Sequence, residues 1–139
     1  YGTYAADGDV DFQVTTPNTA VETHMRFDIE ATGAVVFSIY EDAVVGTGTA
    51  LTAYNNNRNS SNTSSLTIQY DGAITTAGTL IYSQAFGITG NPTTRRGGSV
   101  SAAEELVLKK NSTYRFLIES NSADNIISYH GYWYEHTPR

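Results

Sequence analysis

The sequence predicts an all-β protein, an antiparallel β-sandwich of jelly-roll-like form with about eight to nine strands. Three observations predict it. Apolar and polar residues alternate at period two, turn dipeptides interrupt that alternation at short intervals, and the polar residues are those of strands and turns. The chain holds 19 Thr, 12 Ser and 10 Asn, while only 16% of its residues are charged. Thr is β-branched and suits a pleated surface, whereas Ser and Asn compete for the backbone hydrogen bonds that a helix needs.

Taken in order, Asp7-Gly8 is a turn leading into a strand over 10–15. The next strand, 21–31, shows the clearest alternation: Met25, Phe27 and Ile29 point one way and His24, Arg26, Asp28 and Glu30 the other. Thr32-Gly33 turns the chain into a strand over 35–41, and Gly46-Thr47-Gly48 precedes a short one over 51–54. Residues 54–65 form a polar low-complexity loop, too hydrophilic to enter a core. Strands over 66–70 and 80–84 are punctuated by Asp71-Gly72 and Ala77-Gly78, and Gly90-Asn91-Pro92 marks a further turn. Ser101 followed by Glu104 fits a capping box, so a helical connector of one or two turns is expected over 99–106. Strands over 106–109, 114–120 and 126–136 complete the set, the first two separated by Lys110-Asn111-Ser112. The expected core is Phe12, Val14, Met25, Phe27, Ile29, Phe37, Ile39, Leu66, Ile68, Leu108, Phe116, Ile118 and Trp133.

Composition narrows the function. At 139 residues the chain is one domain long, 1–139, and large enough to bury roughly 70% of its unfolded surface. Eight Lys and Arg against 14 Asp and Glu give a net charge of −6, which argues against a nucleic-acid partner. No apolar run approaches the roughly 20 residues of a membrane-spanning helix, so no membrane partner is expected. The absence of Cys removes thiol chemistry and Cys-ligated metals. The chain opens at Tyr1 without a basic segment followed by an apolar one, so a processed or anchoring segment upstream of residue 1 is an expectation.

Chemistry-bearing constellations are sparse. His24, His130 and His136 lie on strands, only the last two share a face by parity, and no metal-ligand spacing accompanies them; no metal and no cofactor is expected. Asp7, Asp9 and Asp11 alternate as calcium ligands can, but without an EF-hand order they read as a solvated turn. A glycosidase pair could be drawn from Asp28, Glu30, Glu41 and Asp42, but nothing in the sequence sets any two of them across a cleft, and no catalytic residue is assigned. The terminal strand concentrates aromatics: Tyr129 and Trp133 are expected to pack inward, while Tyr132 and Tyr134 line the other face, a subunit contact or a sugar-stacking row. Arg95 and Arg96 make a compact basic turn on an acidic protein. These features give the interface candidates Arg95, Arg96, Asn55, Asn56, Asn57, Tyr132 and Tyr134.

The C-terminal third carries a resemblance. Leu108-Lys109-Lys110-Asn111-Ser112-Thr113-Tyr114, then Phe116-Leu117-Ile118-Glu119-Ser120-Asn121, then Trp133-Tyr134-Glu135-His136 resemble, in that order, small β-sandwich structural proteins of tailed bacteriophages. The pair Met25-Arg26-Phe27-Asp28-Ile29 and Val36-Phe37-Ser38-Ile39-Tyr40-Glu41-Asp42 is similar to the strands preceding the polar loop in those proteins. The resemblance implies a capsid decoration, or cement, protein: a non-enzymatic homotrimer on the outer capsid surface of the virion, assembled in the host cytoplasm and clamping major capsid proteins. The alternative is a receptor- or carbohydrate-binding module of a tail fibre or secreted protein.

Overall fold

The computed structural model describes residues 1–87 and 105–138, and the backbone of 98–101. Among these residues there are thirteen strands and no helix. They are β1 (Gly2–Tyr4), β2 (Asp9–Thr15), β3 (Glu22–Ala31), β4 (Val35–Glu41), β5 (Val44–Val45), β6 (Thr49–Ala50), β7 (Thr67–Tyr70), β8 (Ile74–Thr76), β9 (Thr79–Phe86), β10 (Gly98–Ser101), β11 (Leu106–Leu108), β12 (Thr113–Ser120) and β13 (Asn125–His136). All pairings are antiparallel. One sheet runs β1-β13-β3-β10, with β11 also on β3; the second runs β6-β7-β2-β12-β4-β9; β5 and β8 make a small ribbon.

The two large sheets face one another because each strand alternates. Met25, Phe27 and Ile29 of β3 meet Phe12, Val14, Phe37, Ile39, Phe116 and Ile118 of the second sheet, all buried in one cluster. Phe27 is the bridge between layers, its ring centroid 4.7 Å from that of Phe116 and 5.9 Å from that of Phe37. Phe12 in turn stacks on Phe116 and on Tyr129 at 4.9 and 5.2 Å. Eleven of the thirteen expected core residues are buried here, while Ile68 and Trp133 are half-buried against the cluster.

The outer face of the second sheet is less wet than alternation alone implies. Asp11 pairs with Arg115 at 2.7 Å, Arg115 lies over the Tyr40 ring, and Gln13 is fully buried. Asp11 is thus an ion-pair partner enclosed on a sheet face, not part of a solvated turn.

Three expectations are corrected. Residues 51–54 are not a strand; the ladder to β7 is made two residues earlier, by Thr49 and Ala50 opposite Tyr70 and Gln69. Ser99 to Ser101 are not helical but pair with Glu30, Ile29 and Asp28, because a long ladder along β3 outweighs a one-turn capping signal. The strand count exceeds nine because β1, β5, β6, β8 and β10 are short pieces of two to four residues that carry little periodicity. The turn chemistry fits well: Asp7, Asp71 and Asn111 take left-handed backbone at their turns, and Gly78 at φ 90° turns β8 into β9.

Candidate functional site

β13 is the strand on which most of the candidate residues converge. Its partner β1 reaches only Asn125 to Ile127, so from Ser128 onward one edge of β13 has no strand beside it among the described residues. The polar loop runs along that edge. Together they enclose an open groove of about 880 Å³, bordered by Tyr54, Asn55, Asn56 and Arg58 on the loop and by Gly131 to Glu135 on the strand.

Both walls are built by local chemistry. Asn55 accepts the amide of Asn57 at 2.9 Å, Asn57 that of Asn59 at 3.2 Å, and Asn55 also donates to the carbonyl of Asn62 at 3.2 Å. These are side-chain turns of the kind Asn favours, so the loop is shaped by its own residues. The guanidinium of Arg58 lies 5.4 Å from the centre of the Tyr54 ring. The loop's C-terminal end is held by one carboxylate: Glu135 accepts from the Ser65 amide at 3.0 Å, from the Ser65 hydroxyl, and from the Ser64 hydroxyl at 2.5 Å. Trp133 donates its indole N–H to Ser64 at 3.1 Å. Burial pushes the Glu135 carboxyl up, but the donors from Ser64, Ser65 and Trp133 together outweigh it and hold the group below its usual range.

The outward side of β13 carries an aromatic row. Tyr132 and Tyr134 are 45% and 52% exposed, while Tyr129 and Trp133 pack on the core. The register puts Val107, His24 and Tyr134 in one row across β11, β3 and β13, with Arg26 opposite Tyr132 in the next. His24 stacks on Tyr134 at 4.6 Å, and its Nδ1 lies 2.5 Å from Glu105. Glu105 also accepts from the Tyr134 hydroxyl at 3.0 Å, with Arg26 3.6 Å away. The carboxyl is held low, first by the hydrogen bond from His24.

Sequence reasoning thus placed Tyr132 and Tyr134 on one exposed face and Asn55, Asn56 and Asn57 on an exposed loop, and the structure brings strand and loop together at one groove. Arg95 and Arg96 lie outside the described residues. The four scattered carboxylates divide between the sheets: Asp28 and Glu30 sit on β3, whereas Glu41 accepts the Tyr114 hydroxyl at 2.6 Å and Asp42 pairs with Lys109 at 2.6 Å. The juxtaposition of His24 with His136 was missed. Parity along one strand cannot show which residues of two strands become neighbours; only the β3–β13 register, Glu22 opposite His136, does so. No family model, curated protein sequence or solved structure matches this chain.

Proposed function

We propose that the chain is a structural virion protein that decorates a tailed-phage capsid through non-covalent contacts with major capsid proteins, as a homotrimer and with a jelly-roll winding. The observation that supports this reading best is the outward-facing row Val107, His24 and Tyr134 beside Arg26 and Tyr132, in which all but His24 are exposed. Val107 is 57% exposed, and a sheet face carrying exposed Tyr and Arg has the makeup of a protein-docking surface. Light scattering is expected to give three times 15.1 kDa, and mixing with undecorated heads is expected to give saturable occupancy that falls at least tenfold in Tyr132→Ala/Tyr134→Ala. Absence of binding to heads, or wild-type occupancy by the double variant, overturns the proposal.

A second reading is favoured by a separate observation. The groove brings the amides of Asn55 and Asn56 and the Arg58 guanidinium opposite an aromatic strand, the combination of hydrogen-bonding and stacking surfaces that suits a glycan. Binding on a broad glycan panel, competed by the free sugar, supports that alternative; silence across the panel ends it.

A further inference from the structure

We propose that Glu22, His24 and His136 form a binding site for a divalent transition-metal ion of the zinc type, at the end of the aromatic face where β3 begins and β13 finishes. One donor atom from each of the three lies within 4.8 Å of the others. The ladder accounts for the arrangement. Glu22 and His24 are two apart on β3 and so share a face, and His136 stands opposite Glu22 on the neighbouring strand.

The two imidazoles bring their Nε2 atoms together. His24 Nδ1 faces the Glu105 carboxylate at 2.5 Å, which places its proton there and leaves the lone pair on Nε2. That Nε2 accepts a hydrogen bond from the Nε2–H of His136, 2.9 Å away, and a bound ion would take the place of that proton. A carboxylate behind a ligand histidine is the usual support of a metal site, because it fixes the tautomer and makes the imidazole more basic. The His24 ring is held further by its stack on Tyr134 at 4.6 Å, and that tyrosine donates to the same Glu105. Ligand nitrogens around tetrahedral zinc, with bonds of about 2.0–2.1 Å, stand roughly 3.3 Å apart. Widening the 2.9 Å gap by a few tenths of an ångström, with the His136 proton moved to its Nδ1, therefore admits the ion, with Glu22 as third ligand and the fourth position left to solvent. Two imidazoles and one carboxylate select a zinc-like ion over magnesium or calcium, which prefer all-oxygen shells.

The test is equilibrium dialysis and calorimetry of the untagged full chain against zinc chloride, after exposure to a chelator. One zinc per chain is expected, with a concentration-dependent rise in Tm. His136→Ala, at an exposed position, is expected to weaken binding at least a hundredfold while circular dichroism stays unchanged. Glu105→Gln keeps the ligands but loses the charge behind His24, and should weaken binding about tenfold or more. His130→Ala, opposite Asp28 and further along β13, should bind zinc as the parent does. No zinc uptake by the parent, undiminished uptake by His136→Ala, or loss in His130→Ala overturns the proposal.

Discussion

The side-chain oxygen of Asn125 accepts the backbone N–H of Gly33 at 2.7 Å, tying together two places where the chain crosses between sheets. Gly33 lies in the crossing from β3 to β4, and Asn125 ends the crossing from β12 to β13. The same carboxamide donates to the Ala34 carbonyl at 3.2 Å and to the Ser120 hydroxyl at 3.1 Å. Asn125 is fully buried, and the Gly33 N–H depends on it for its partner, whereas the Ala34 carbonyl also accepts from the Asn121 amide at 2.9 Å and the Ser120 hydroxyl donates to the Ser122 carbonyl at 2.9 Å.

Asn125→Ala is therefore expected to cost about 2–3 kcal/mol in urea unfolding, since it strands the buried Gly33 N–H and takes one of two partners from a carbonyl and a hydroxyl. A loss below about 1 kcal/mol would show that water replaces the amide and that the crossings are held by their other bonds, such as Ala34 N–H to Ser122 at 3.1 Å.

Asp11 and Arg115 make a second enclosed link, each side chain about 15% exposed or less. Asp11→Ala removes the partner of the guanidinium and also the acceptor of the Gln13 amide at 2.7 Å. The expected loss is about 2–4 kcal/mol, because a charge is left enclosed without its counterpart. Asp11→Ala/Arg115→Met should recover part of it; a double variant no better than the single would mean that hydrogen bonding, and not the stranded charge, carries the cost.

Asp42 and Lys109 close the opposite end of the second sheet and define a pH window. The Asp42 carboxyl is held below its ordinary value, first by the hydrogen bond from Lys109 and then by that from Ser112; Lys109 is held above its own by the bond to Asp42. A depressed carboxyl contributes stability above its unfolded value of 3.8 and loses it as pH falls through the folded one. A raised ammonium contributes below 10.5 and loses it as pH rises through its folded value. Asp42 takes left-handed backbone at φ 58°, which Asn tolerates, so Asp42→Asn isolates the charge. The Tm gap between parent and variant is expected to be widest from about pH 5 to 9 and to narrow at both extremes. A gap independent of pH would assign the difference to hydrogen bonding at Ser112 alone.

These residues also mark what could be read in advance. Alternation located β2, β3, β4, β12 and the inward side of β13, because burying one face of a sheet imposes period two on the sequence. Asn125 gave no such signal: its importance comes from bonds to Gly33 and Ala34 more than 90 residues away. Tyr114 is similar, buried though it carries a hydroxyl, because Glu41 accepts that hydroxyl and the Lys109 amide donates to it. Aromatic enrichment pointed to the β13 face, but the meeting of Glu22, His24 and His136 depends on a register that turns and long loops decide.

Gly131 offers a way to separate groove from face. It lies on β13 opposite Phe27, and a Cβ built there meets nothing within 4 Å. Glycine in a strand interior weakens it, so Gly131→Leu should leave stability within about 0.5 kcal/mol or raise it slightly. Alternation directs the new side chain to the side of Tyr129 and Trp133, so that it projects into the groove and away from the outward side of the strand, where Tyr132 and Tyr134 alternate with it. Capsid occupancy through the aromatic face is then expected to be unchanged, while any glycan binding in the groove is weakened. Loss of particle attachment in Gly131→Leu would move the docking contact from the sheet face to the groove, and with it the residues that carry the protein's binding.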